Sequence, residues 1–112
     1  MQIVCTSPSF AQYSDAPITA LRAQGIELLR LPADIDETQF IARASGACGA
    51  IVAFNTISEQ VLAALPNLRV VAKHGVGVDN IDVVAAARHG VTITNVPAAN
   101  RHAVADFTLA LR

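Results

Sequence analysis

The sequence predicts a doubly wound α/β domain, a parallel five-stranded sheet with helices on both faces. Three observations carry that prediction. Five short apolar runs, at residues 2–5, 26–31, 48–54, 68–72 and 91–94, alternate with four stretches of helical periodicity. Such alternation with short connections is the pattern of β-α-β units joined by right-handed crossovers. The composition is 53% hydrophobic and 15% charged, against roughly 25% charged in an average soluble domain. That excess fits a sheet covered on both faces, or a domain whose surface a partner normally covers. At 112 residues the chain has the size of one domain, which hides roughly two thirds of its unfolded surface around one core.

The first strand, residues 2–5, breaks at Thr6-Ser7-Pro8-Ser9 into a loop expected at the sheet's ligand-bearing edge. Ser14 or Asp15 caps the first helix, with Pro17 near its first turn, Ile18, Leu21 and Arg22 at helical spacing, and Gly25 as its stop. Strand 26–31 closes at Pro32. Asp36, with Gln39 three residues on, resembles a reciprocal capping arrangement and opens a second helix with Phe40, Ile41 and Ala44 on one face. Run 48–54 reads as a strand buried on both faces, with Asn55-Thr56 just past its end. Ser58-Glu59-Gln60 starts a third helix, with Val61, Leu62 and Leu65 apolar, and Pro66-Asn67 stops it ahead of strand 68–72.

After that strand come Lys73-His74-Gly75-Val76-Gly77. In a parallel α/β sheet ligands sit beyond the carboxyl ends of strands, and glycines let backbone N–H groups approach them without an intervening side chain. Gly75, Val76 and Gly77 are therefore candidates for holding an anion; the competing reading is a tight strand-to-helix turn with no ligand. A dinucleotide fingerprint needs a third glycine where this chain has Asn80, and an acidic residue where it has Ala98-Ala99-Asn100. The fourth helix takes Asp79 or Asn80 as N-cap, with Asp82 in its first turn and His89-Gly90 as its stop, so its positive end is expected to face the glycine turn. Ala85-Ala86-Ala87 reads as part of a tightly packed helix and not as a partner motif. Strand 91–94 ends at Asn95-Val96-Pro97, and Val104, Phe107, Thr108 and Leu111 then recur at helical spacing with no stop signal at Arg112. The reading expects that helix to continue, in a chain cut short inside it.

Net charge is −1 with scattered basic residues, which excludes the electrostatic footprint of a nucleic-acid or anionic-membrane binder. Cys5 and Cys48 lie in or beside apolar runs with no metal-ligand spacing, as for two buried reduced thiols in a cytoplasmic protein. No run approaches membrane-spanning length and no basic leader precedes an apolar stretch. Asp79 and Asp82 read as helix-start carboxylates, not as a metal pair. His74, His89 and His102 are scattered, with no nucleophile setting around them. Lys73 reads either as a lysine reaching solvent or as a carboxylate attractor. Asn55 reads either as a loop residue satisfying its own backbone or, from its place at a strand's carboxyl end, as a ligand contact.

Residues 68–82 (Leu-Arg-Val-Val-Ala-Lys-His-Gly-Val-Gly-Val-Asp-Asn-Ile-Asp), then Ala85-Ala-Ala-Arg-His-Gly90-Val, Thr94-Asn-Val-Pro-Ala-Ala-Asn100 and Val104-Ala105, closely resemble the first segment of D-isomer-specific 2-hydroxyacid dehydrogenases. Phosphoglycerate dehydrogenase-like members are the nearest match. The resemblance implies a flavodoxin-like, three-layer substrate domain over residues 1–100, with 101–112 beginning the helix that leads into a dinucleotide-binding domain. It implies that the amides of the Gly75-Val76-Gly77 turn hold the substrate carboxylate. It places Asn100 at the interdomain hinge facing the cleft and Val104 near the nicotinamide ring of NAD or NADP, while the catalytic Arg, Glu and His lie beyond this chain. The isolated chain is then expected to bind no cofactor and to be inactive. Many members have Glu where this chain has Asp106, and phosphoglycerate-specific ones carry basic residues near the loop that here is Phe54-Asn55-Thr56, so a smaller or different 2-hydroxy acid fits as well.

Two other classes remain to be separated. A free-standing module that recognises a small carboxylate without chemistry would use the same turn, and micromolar rather than millimolar binding of 2-oxo acids would identify it. A phosphorylated receiver domain needs acidic residues after strand one and a phosphoacceptor Asp after strand three, where this chain has Thr6-Ser7 and Asn55. A homo-oligomer is expected, with self-association through the apolar helix 104–111 if its partner domain is absent.

Overall fold

A computed structural model describes residues 1–7, 16–74 and 79–96. Five strands, β1 (Gln2–Cys5), β2 (Glu27–Arg30), β3 (Gly49–Val52), β4 (Val70–His74) and β5 (Thr92–Val96), alternate with α1 (Ala16–Ala23), α2 (Glu37–Arg43), α3 (Glu59–Ala64) and α4 (Val83–Arg88). All pairings are parallel and the order is β2-β1-β3-β4-β5. The chain reverses direction across the sheet between β1 and β3, so the crevice at their carboxyl ends is the topological switch point.

Alternating side chains feed two cores. Val4, Ala50, Val52 and Val71 point to the face packed by Phe40 and Ala44 of the α2 segment, Val61 and Leu62 of α3, and Ala85 and Ala86 of α4. Ile3, Cys5, Ile51, Val70 and Ala72 belong to a second core with Leu21 of α1. Right-handed crossovers explain the split, because β1-α1-β2 runs outward in one direction and every later crossover runs in the other. β3 is buried along its whole length, as its apolar run requires. Edge strand β2 exposes Glu27 and Arg30 at its ends, the usual protection of an unpaired edge.

Asp36 caps α2 as expected, accepting from the Gln39 N–H at 2.7 Å, and Ser58 caps α3. The cap of α4 is Asp82, which accepts from the Ala85 N–H at 2.9 Å, and not Asp79 or Asn80. Asn80 and Ile81 are drawn away instead: Ile81 forms an isolated parallel bridge with Ile57. Gly25 (φ 76°) and Gly90 (φ 71°) end α1 and α4 in the left-handed region, where a side chain is strained.

Three apolar runs misplace strand ends. β4 and β5 extend past their apolar stretches to His74 and Val96, because parallel ladder bonds engage backbone whatever the side chain. β3 stops at Val52, short of Phe54, and Cys48 is only partly buried. The helix expected at 104–111 lies outside the described residues.

Candidate functional site

The carboxyl ends of β1, β3 and β4 bring together Thr6, Ser7, Asn55 and Lys73. The Thr6 hydroxyl donates to Asn55 Oδ1 at 2.6 Å, bridging the switch-point crevice, and Asn55 Nδ2 donates to the Ala33 carbonyl at 3.2 Å. Asn55 therefore satisfies neighbouring loops, and not its own backbone. Asn80 Nδ2 donates to the carbonyls of Ala53 at 3.3 Å and Asn55 at 2.6 Å. The Ile57 N–H donates to the Asn80 carbonyl and the Asp82 N–H to the Ile57 carbonyl. The loop after β3 is thus tied to the loop after β1 on one side and to residues 80–82 on the other.

Gly75, Val76 and Gly77 lie outside the described residues, but both their flanks are fixed. Lys73 and His74 pair in β4 with Asn95 and Val96 of β5, and Asn80 and Ile81 are held by the β3–α3 loop. Helix α4 begins at Val83, six residues beyond Gly77, and the Ala85 N–H of its first turn is engaged by the Asp82 carboxylate. A cleft of about 250 Å³ is lined by Ile35, Glu37, Phe40, Asn55, Thr56 and Val61, where the start of α2 meets the β3–α3 loop. Asn100 and Val104 fall outside the described residues.

Lys73 does not reach freely into solvent: it is 4% exposed, with Nζ 4.6 Å from the Phe54 ring centroid. Its burial follows from register, since Lys73 sits beside the core residue Val52 on β3. Nearby, the buried Cys5 thiol donates to the Ser7 carbonyl at 3.6 Å, and burial raises its pKa above the ordinary thiol value despite the Arg30 charge. Among the described residues no cluster of three His, Cys, Asp or Glu side chains is placed to hold a metal. No described helix is long and apolar enough to cross a membrane.

Sequence reasoning passed over Thr6 and Asn80 as site elements. Thr6 had a usable signal, its place after the strand that begins the chain reversal. Asn80 had none, because its side chain acts on a loop some 25 residues away in sequence.

Comparison with known proteins agrees with this architecture. The family profile "D-isomer specific 2-hydroxyacid dehydrogenase, catalytic domain" matches residues 4–110. D-3-phosphoglycerate dehydrogenase of Mycobacterium leprae is 43% identical over 77 residues, which are 68% of this chain and 15% of that protein. The NAD+-bound 3-phosphoglycerate dehydrogenase of Entamoeba histolytica superposes with a TM-score of 0.77 at 25% identity, over 85% of this chain and 32% of that one. The TT0316 protein of Thermus thermophilus gives 0.74 at 29% identity, over 98% and 35%. The chain spans about a third of these solved chains and a smaller part of the mycobacterial protein.

Proposed function

The chain belongs to the D-isomer specific 2-hydroxyacid dehydrogenase family, and from that membership we propose that it is the substrate-binding part of an NAD- or NADP-dependent oxidoreductase acting on a small 2-hydroxy or 2-oxo acid. Residues 1–100 are the substrate domain and 101–112 lead toward a dinucleotide-binding domain, in an enzyme that works as a homo-oligomer. The backbone N–H groups of Gly75, Val76 and Gly77 hold the carboxylate. What supports this is position: the family match runs through the turn, and both its flanks are anchored at the sheet's carboxyl edge, by β4 and by Asn80.

Asn55 frames the acid by clamping the loops around it; among the described residues its side chain uses one amide hydrogen and one lone pair, and the other of each is available to a ligand. The turn lacks the third glycine of a dinucleotide fingerprint, so it suits one acid group and not a pyrophosphate. Asn100 and Val104 are this chain's contacts with the cofactor, which supplies the hydride acceptor or donor when bound; the NAD+ in the Entamoeba relative supports the cofactor class. Hydride transfer needs that cofactor against the substrate carbon with an acid/base in reach. The turn provides neither, so this chain binds without turning over.

Titration of the chain with pyruvate, followed by amide NMR, tests the reading. The expected result is millimolar binding with shifts centred on residues 75–77. Micromolar binding would identify a self-sufficient carboxylate module, and shifts that bypass the turn would remove its assigned role.

A further inference from the structure

The cleft of about 250 Å³ between the start of α2 and the β3–α3 loop has walls of unlike character. Ile35, Phe40 and Val61 back it with apolar surface, while Glu37 stands on the α2 side and Asn55 and Thr56 on the other. The exposed Glu37 carboxylate has no partner among the described residues, where the ion pairs are those of Glu59 with Arg88 and His89. Capping does not occupy it, because the Gln39 N–H is taken by Asp36. The Thr56 hydroxyl is likewise without a partner among the described residues. Among the residues that line the cleft there is one carboxylate and no Lys, Arg or His. Asp34 and Asp36, both exposed, flank Ile35 in the chain, so three carboxylates fall within residues 34–37. Arg30 faces away from them: it follows by two positions Leu28, which packs in the α1 core, and its charge acts on Cys5 of that same core. The cleft opens on the opposite face of the sheet, beside Phe40 and Val61. Lys73 lies over the Phe54 ring and does not line it.

We propose that this cleft binds a small organic cation, a primary amine with a short branched apolar body. An ammonium group carries three N–H donors. The Glu37 carboxylate, the Thr56 hydroxyl oxygen and the second lone pair of Asn55 Oδ1, whose first accepts from Thr6, are acceptors around the one cleft. The body lies against Ile35, Phe40 and Val61 and gains by leaving water. The volume is below the roughly 300–1,000 Å³ of pockets that take drug-sized ligands, so the occupant is small. An anionic group on the same body meets the like charges of residues 34–37 and is repelled. Asn55 also holds the β1 and β3 loops together through Thr6, so the occupant touches a side chain that shapes the switch-point crevice. The site requires neither the glycine turn nor a cofactor and stands independently of the carboxylate reading above.

The test is NMR titration of the chain and of Glu37→Gln with 3-methylbutylamine, 4-methylpentanoate and ethylamine. The branched amine should bind with roughly millimolar affinity, as for so small a ligand, and shift the amides of Ile35, Glu37, Phe40, Thr56 and Val61 together with the side-chain amide of Asn55. 4-Methylpentanoate, the same body with the opposite charge, should not bind. Ethylamine, which lacks the branched body, should bind roughly tenfold more weakly, as for a few lost methylene contacts. Glu37→Gln should weaken the branched amine by about two- to fivefold at low salt, the range of an exposed ion pair, and added salt should shrink that difference. Glu37 is exposed, so the fold survives the change, and an unaltered pyruvate titration checks that it has. Binding of 4-methylpentanoate as tight as that of the amine would overturn the proposal. So would an amine affinity unaffected by Glu37→Gln, shifts centred outside the cleft, or no amine binding well above millimolar concentration. Failure of pyruvate to bind the unaltered chain would bring down only the carboxylate reading.

Discussion

At the amino edge of the sheet, the turns after α1 and α4 close within themselves. The Gly25 and Ile26 N–H groups donate to the Arg22 and Leu21 carbonyls, and the Gly90 and Val91 N–H groups donate to those of Ala87 and Ala86. Each is a Schellman closure made by backbone alone, with buried Ile26 or Val91 completing it. At the carboxyl edge, side chains do the closing: Thr6 reaches across to Asn55, Asn55 to Ala33, and Asn80 to two carbonyls of the β3–α3 loop. A turn satisfied by its own backbone is locally stable and has little to rearrange. Loops held by side chains depend on one another, which lets the fold set the shape of a site from residues distant in sequence.

That contrast can be broken most severely at Asn80. Asn80→Ala leaves the Ala53 and Asn55 carbonyls without the Asn80 donor and loosens the one flank of the glycine turn that Asn80 holds. We expect a loss of roughly 2–3 kcal/mol of stability in chemical denaturation, together with faster amide exchange at Ile57 and Asp82. Unchanged exchange there would mean that the loops at this edge are independent after all.

Gly25→Ala and Gly90→Ala attack the opposite edge. Nothing lies within 4 Å of an added Cβ at either position, so the cost is backbone strain alone, about 1–2 kcal/mol each. The two losses should add, since the turns share no partner, and the pyruvate affinity should stay that of the parent chain. A weakened affinity would couple the edges and blur the distinction.

The smallest expected effect separates the cysteines, Cys5 at the carboxyl edge and Cys48 at the amino edge. Partly buried Cys48 should be alkylated first by iodoacetamide, with Cys5 following only through opening of the fold. Because burial raises the Cys5 pKa above its unfolded value near 9.0, its contribution to stability is whole below that pH. It is lost as pH rises further, when the unfolded chain releases the proton first. Cys5→Ala should flatten that alkaline decline. An identical slope in both chains would show that the thiol takes no part in it.

Much of this could be taken from local patterns. Asp36 with Gln39, Ser58, Gly25 and Gly90 announce helix ends because caps and left-handed residues act over a few positions. The glycine pair is likewise conspicuous where it stands. Asn55 was marked by its place at a strand end, but its role as a clamp was not legible, since Thr6 and Ala33 come to it only through the sheet. Lys73 looked like a lysine bound for solvent because nothing in residues 69–74 says that Val52 will lie beside it.

The sequence by itself determined the alternation of elements, their caps and the two-sided apolar strands, because those signals are local and periodic. Only the tertiary structure decided that Asp82 and not Asp79 or Asn80 caps α4, that Asn80 braces a neighbouring loop, and that Lys73 is buried against Phe54. Each of those outcomes is a competition between a local partner and one brought in by strand order and register. Chain-local patterns contain no term for the second.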